Sequence, residues 1–408
     1  VIQPQPIAIT GLGVVSSAGA GIEAACEDLA HPVPRLTPVD RSAGYHLEGG
    51  SLVAAMTRDI PLHQWIAPMA ARRMCPASKM AVAAARMAVE NAGLDPADLA
   101  DAAVIVATAY GASDVSERIL RQVFLENPEA ISPALFTESV ANAPAAQIAL
   151  SLSIRGPNLT ITQRQAGVLL AIGRAVAMLR SGTVRRVVVA AVDELNPLLH
   201  AILDRFHTLT RSPADGQESA RPFDRHRDGF LAGEGATAAI LEGATQARDR
   251  GAAVQAEVIG AGSAFDPTAS AVGCGHDAEA VARVFTSWLG RLDLRPSDLD
   301  LVVSSACGSP AGDHYEAHLL RSIFEQAPPP IVTPKAWLGE HGGAVLSTAV
   351  LATGGAVLGP TPGFTTRDPE LDVVPHDGGL MEPPRHVLTT APAAGGSTSW
   401  AVMSRTGG

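Results

Sequence analysis

RGPNLTITQRQAGVLLAIGRAVAMLRSGTVRRVVVAAVDE, residues 155 to 194, reads as strand, tight turn, buried helix, strand. The β-rich Leu159 to Thr162 runs into Gln165-Ala166-Gly167, and an apolar helix of about three to four turns follows, stopping before Ser181-Gly182. Val187 to Val192 is then a continuous apolar run, the pattern of a central strand buried on both faces. The residue at the turn meets the amino end of the helix, where unpaired N–H groups and the helix dipole favour negative charge. A cysteine placed there would be a thiolate nucleophile of depressed pKa. The residue present is Gln165, a neutral amide that can neither be acylated nor attack.

Outward from this unit the same alternation continues, with further apolar runs at Ala238 to Leu241 and Val254 to Ile259. Ala88 to Asp114 and Thr286 to Asp313 repeat one order: helix end, Pro-containing turn, apolar strand (Ala103 to Ala107; Leu301 to Val303) and a Gly turn. A duplicated half built of strands and helices implies stacked α/β layers. The boundary falls near residues 245 to 255, giving an N-terminal half over 1–250 and a C-terminal half over 251–408.

With 47% hydrophobic and 17% charged residues over 408 positions, the chain is not disordered and can bury a large interior. A formal net charge of -11 argues against a nucleic-acid or anionic-membrane surface. No apolar run reaches the roughly 18 to 20 residues of a membrane span, and Ile7 to Val15 enters as a strand without a signal-peptide cleavage pattern, so a cytoplasmic location is expected. Cys26, Cys75, Cys274 and Cys307 form no CxxC pair, so neither a disulfide framework nor a metal site is indicated, and no cofactor is expected.

SARPFDRHRDGFLAGEGATAAILE, residues 219 to 242, contains Arg221-Pro222-Phe223-Asp224, Arg227-Asp228-Gly229-Phe230 and Gly233-Glu234-Gly235-Ala236. This long block resembles the β-ketoacyl-acyl-carrier-protein synthases, condensing enzymes of the thiolase superfamily. ITGLGVVSSAG, residues 9 to 19, is similar to that family's opening strand and turn. The resemblance covers essentially the whole chain and implies a thiolase-like α/β fold, a duplicated five-layer αβαβα arrangement. Asp228 and Glu234 are expected to be scaffold, pairing with arginines or accepting backbone N–H bonds.

Against the family's pattern, the catalytic positions depart one by one. The nucleophilic cysteine is replaced by Gln165. The first family histidine falls at or near Cys307, in a loop about two residues shorter than the family's. The second lies five residues after a lysine; counting from Lys335 lands on Glu340, while a one-residue displacement would put His341 there. The late glycine-rich loop reads Pro392-Ala393-Ala394-Gly395-Gly396 and lacks the family's gating phenylalanine.

Claisen condensation needs a thiolate to hold the acyl chain and donors for the enolate. Glutamine at the nucleophile position resembles the chain length factor, the ketosynthase β subunit of bacterial type II polyketide synthases. That resemblance implies a heterodimer with an active ketosynthase α subunit and an acyl carrier protein delivering substrate. A second reading is a glutamine-type ketosynthase that decarboxylates malonyl-carrier protein to a starter unit, although Cys307 and Glu340 supply poor enolate donors. A third, condensation through Cys307, places the thiol in a loop instead of at a helix amino end, where a buried small hydrophobe is expected.

The family's tunnel-gating residues fall on the helix after ATAYGASD, at Ser113, Ser116 and Leu120, spaced i, i+3, i+7 on one face. A lining that small suits a longer or rigid extended product such as a polyene, with an aromatic product also open. Phe136 to Leu150 resembles the family's helix that reaches across the dimer interface.

Overall fold

The computed structural model describes residues 6–57, 60–127, 129, 131–211, 218–325 and 328–406. Ten principal strands form in two sets of five. The first set is β1 (Ile7–Ser16), β2 (Ala103–Ala107), β3 (Asn158–Ile161), β4 (Arg186–Asp193) and β5 (Gly235–Gly243). The second is β6 (Ala256–Phe265), β7 (Leu301–Ser304), β8 (Ile331–Val332), β9 (His386–Pro392) and β10 (Ser397–Ser404). From the middle outward the first set lies in the order β1-β5-β4-β2-β3 and the second in the order β6-β10-β9-β7-β8. Both keep the same directions: the three outer strands are parallel and the two inner pairings antiparallel. The faint repeat in the sequence is therefore a repeat of topology, and antiparallel pairing of Ile7 to Ile9 with Ala256 to Val258 joins the sets.

The helices used below are α1 (Pro76–Asn91), α2 (Ser113–Leu125), α3 (Ala143–Ser151), α4 (Gly167–Arg180), α5 (Pro197–Arg205), α6 (Ala278–Gly290), α7 (Pro310–Phe324) and α8 (Gly342–Thr353). Alternation along the strands decides which face each serves. Ala103, Ile105, Val187 and Val189 join Val303 and Val387 of the second set around α4 and α8, in one central core. Val104, Val106, Val188 and Ala190 face the other way, onto α1 and α3. Val302, Leu388 and Val402 face α6 and α7. The result is the expected five layers, with α8 apolar all round because both its neighbours are core.

Alanine and glycine set how close the outer layer comes. A Cβ on Gly13 would stand 2.8 Å from the Met87 Cβ, so β1 packs directly on α1. One expectation changes: Phe136 to Leu150 is not one helix. A short helix Pro133–Phe136 ends, and α3 starts only at Ala143, with Asn142 before it and Pro144 in its first turn, where the missing proline N–H is harmless.

Candidate functional site

The turn between β3 and α4 is a single 3-10 turn, Arg164–Ala166, and Arg164 is left-handed at φ 32°. Its geometry is fixed from the second half of the molecule, since the Ser399 hydroxyl on β10 donates to the Ala166 carbonyl at 2.9 Å. Gln165 Oε1 is buried and has no hydrogen-bond partner among the described residues. It faces a cavity of about 140 Å³ whose walls include Arg164, Phe230, Cys274, Cys307 and Glu316.

Cys307 follows β7 in a loop built around one carboxylate. Asp313, in the first turn of α7, accepts the N–H groups of Cys307 at 3.1 Å, Gly308 at 3.0 Å and Phe223 at 2.9 Å. Phe223 belongs to the Arg221–Asp224 block, so that block braces the cavity floor. Burial pushes Asp313 up to about 6 despite these N–H groups. Glu316, one helical turn on, accepts from Ser305 N at 3.2 Å and Thr390 Oγ1 at 2.6 Å, and burial lifts it to about 7.

The Cys307 thiol is itself raised well above its ordinary value by burial and then by the charges of Glu340 and Asp313. It stays protonated, and it packs in an apolar cluster with Leu195, Leu199, Leu203 and Phe230. The site thus contains a buried, protonated thiol, a weak hydrogen-bond donor.

Glu340 is tied to Lys335, whose Nζ lies 2.7 Å from Oε1 with the lysine fully buried at 0% exposure. Burial alone would lower Lys335, but the Glu340 charge outweighs it and the ammonium is held. Glu340 Oε2 has no partner among the described residues. His341 stands at the start of α8 with neither ring nitrogen bonded among the described residues, its ring against Gly235, where a Cβ would lie 2.7 Å from Cε1. Burial, followed by the Lys335 charge, drops it to about 3, so it is neutral. Neither Glu340 nor His341 lines the cavity with Gln165.

The other expected positions distribute as follows. Pro392 and Ala394 form part of the cavity wall, with no aromatic ring there from the glycine-rich loop. Glu234 accepts from Thr57 N at 2.9 Å and Leu195 N at 3.1 Å, and Asp228 from Thr210 Oγ1 at 2.7 Å; both brace loops. Ser113 donates to Glu194 at 3.3 Å, Ser116 bonds back to the Ala112 carbonyl at 2.9 Å, and Leu120 is 45% exposed. The three are not brought to the Gln165 cavity. A different face of α2, Val115 and Arg118, lines a second cavity of about 290 Å³ with Arg72, Arg73, Leu135 and Gln147.

Sequence reasoning missed Glu316, Cys274 and Arg164 as cavity walls. Asp313 and Glu316, three apart in the first turns of a helix after a Gly turn, were the available signal for Glu316; Cys274 arrives from a distant loop and carried none. Among the described residues no cluster of three or more metal-ligating side chains forms. No described helix is long and apolar enough to cross a membrane.

The β-ketoacyl synthase N-terminal domain matches residues 4–247 and the C-terminal domain residues 255–360. The chain is 30% identical to the tetracenomycin polyketide synthase ketoacyl synthase beta subunit of Streptomyces glaucescens, covering 99% of each chain. It is 29% identical to the alpha subunit of the same synthase, covering 98% of this chain and 97% of that one. A solved structure described as the ishigamide ketosynthase/chain length factor superposes with a TM-score of 0.89 at 29% identity, over 99% of this chain and 100% of that one. Near-equal identity to an alpha and a beta subunit means that overall similarity does not separate the two roles; the residues at the site must. On fold, motifs and domain matches together, the chain belongs to the β-ketoacyl synthase family.

Proposed function

We propose that this chain is the non-condensing, chain-length subunit of a type II polyketide synthase, working as a heterodimer with a ketosynthase α subunit that receives substrate from an acyl carrier protein. The observation that carries the reading is Gln165: a carboxamide occupies the turn at the amino end of the central helix α4 where condensation requires a thiolate. The surroundings agree. A protonated Cys307 is only a weak donor to an enolate, and a carboxylate at Glu340 donates nothing and would repel it. The same deficit weighs against the starter-forming decarboxylase.

A partner surface is available. Among the described residues β3 is the outermost strand of its half, paired with β2 on one side alone, and such an edge invites pairing. Leu120, Phe124, Leu125, Phe136, Val140 and Leu150 are all exposed within one 31-residue stretch, 120–150. In this reading Ser116 and Leu120 meet the growing acyl chain where the two subunits join, and their small or single bulky side chains admit a long or extended product such as a polyene.

The test is to express the chain with and without an α subunit and incubate each preparation with acyl and malonyl thioesters of a carrier protein. A one-to-one complex, product only from that complex, and no acyl mass added to this chain are expected. An acyl adduct on Cys307, or carbon dioxide release by this chain alone that disappears in Gln165→Ala, would overturn the reading.

A further inference from the structure

Strand β4 ends on Asp193, and Glu194 follows it. Neighbouring side chains on extended backbone leave on opposite faces, so the two carboxylates serve different layers. Asp193 accepts from Ala109 N at 2.6 Å, Thr108 Oγ1 at 3.2 Å and Gly342 N at 3.1 Å. Gly342 is the first residue of α8 and directly follows Glu340 and His341. Glu194 accepts from Ala77 N in the first turn of α1 at 2.6 Å and from Asp114 N in the first turn of α2 at 2.7 Å, with the Ser113 hydroxyl at 3.3 Å.

One carboxylate therefore caps two helices, and each has a local reason to need it. The first N–H groups of a helix have no partner within it. At α2 the capping position is Ala112, whose methyl accepts nothing. At α1 the capping Cys75 gives its sulfur to Ser78 N, leaving Ala77 N to Glu194. Both helix dipoles favour a negative charge at this point. Burial nevertheless lifts the Glu194 carboxyl to about 7, with the Asp114 charge adding to the rise against the pull of the two backbone N–H groups. Its location is thus maintained by directed hydrogen bonds, not by an easily buried charge.

We propose that Glu194 is a positioning residue for product length: by capping α2 from a neighbouring strand, it fixes where the Ser113–Leu120 face stands relative to the Gln165 site, while Asp193 ties the same strand end to α8. This rests on the chain-length reading above. A helix capped by its own preceding residue would move as a unit with its loop; α2 is instead referenced to β4, in the rigid sheet.

Two variants of the full chain in complex with its α subunit test this. Glu194→Gln keeps the volume but turns one acceptor oxygen into an N–H donor, so one helix loses its cap. Glu194→Asp keeps the charge and withdraws it by one methylene. Amide exchange at 77 and 113–116 should quicken by about tenfold or more, and the product lengths should broaden or shift by an extension unit with the dimer intact. Glu242→Gln is the control: Glu242 is equally buried but pairs with Arg186 and Arg250, away from α2, so it should lower stability without moving product length. Unchanged lengths in both Glu194 variants, while Ser116→Phe and Leu120→Ala alter them, would overturn the proposal and leave the chain-length reading standing. Unchanged lengths in all four would overturn both. If a Glu194 variant fails to assemble, exchange in the unassembled chain decides: protection retained at 113–116 refutes the cap, and loss confined to the first turn of α2 supports it.

Discussion

The turn after β2 in the first half and the turn after β7 in the second occupy equivalent places in the repeated topology, yet they are held by different means. In the first half the carboxylates come from the end of β4 and the residue after it: Asp193 takes Ala109 N and Glu194 takes Asp114 N. In the second they come from the helix that the turn itself begins: Asp313 takes Cys307 N and Gly308 N, and Glu316 takes Ser305 N. The second turn is thus braced mainly by carboxylates from its own helix, with outside contacts from Phe223, Gly229 and Thr390. The first is braced at a distance, so its position depends on α1, β4 and α8 together. Cys307 sits on the turn braced by its own helix, and the helix proposed to gauge product length starts from the turn braced at a distance.

The largest effect is expected at Lys335, whose ion pair with Glu340 lies outside both turns. Removing the ammonium leaves the Glu340 carboxylate buried and unpaired, which costs about 3 to 5 kcal/mol. Lys335→Ala should show that loss in urea unfolding of the purified chain, and Lys335→Met with Glu340→Leu should recover most of it. A loss under about 1 kcal/mol for the single variant would mean that water reaches the pair.

The contrast between the two turns is sharpened by a matched pair of truncations. Asp313→Ala and Glu194→Ala each strand buried N–H groups and should each cost about 1 to 3 kcal/mol. Their footprints in hydrogen exchange should differ. For Asp313→Ala, loss of protection should stay at 223 and 307–309; for Glu194→Ala it should appear in α1 and α2, far apart in sequence. Equal spread for both would remove the distinction.

A smaller effect reads the same carboxylates through pH. Glu194 and Glu316 are raised to about 7 from 4.5, so their contribution is present at low pH and lost as pH rises through 7. Asp193 and Asp313, raised to about 6 from 3.8, complete their loss earlier. His200 and His341, lowered to about 4 and about 3 from 6.5, act oppositely: their contribution is present above 6.5 and lost as pH falls. Between pH 6.5 and 8 the two glutamates dominate, and stability should fall by about 1 kcal/mol for each. Glu316→Gln should remove about half of that slope in urea midpoints measured across this range; an unaltered slope would show that Glu316 is ionised throughout.

What was legible in the sequence follows the range of the interactions involved. Val187 to Val192 and Ala103 to Ala107 announce buried strands because a strand enclosed on both faces must be apolar at every position. The Gln165 turn was legible because strand, turn and apolar helix are contiguous. The double cap was not: Glu194 lies 80 residues from Asp114 and 117 from Ala77, and nothing local marks an acceptor for donors so far away. Leu120 shows the limit of periodicity. Its spacing from Ser113 defines a helix face correctly, but whether that face meets a cavity, solvent or another subunit depends on what packs beside α2. The same holds for Lys335 and Glu340, whose five-residue spacing was visible while the buried ion pair depended on the turn at Gly339.

The least disruptive change is the most direct probe of the chemical centre. Gln165→Cys puts a thiol at the amino end of α4, facing a cavity with room for it, and should alter stability by no more than about 0.5 kcal/mol. The helix terminus should favour its thiolate, so iodoacetamide should label it faster than the buried Cys307. Condensation should still not follow. On the proposed assignment, the positions that would donate to an enolate hold a protonated thiol at Cys307 and a carboxylate committed to Lys335, and the neutral His341 points at Gly235. Mass spectrometry of the variant with malonyl-carrier protein should therefore find acylation at residue 165, with the carrier thiol released, and no carbon dioxide release. Release at a rate comparable with an active ketosynthase would mean that the thiol was the one missing part, and that the donors lie elsewhere than at residues 307 and 340.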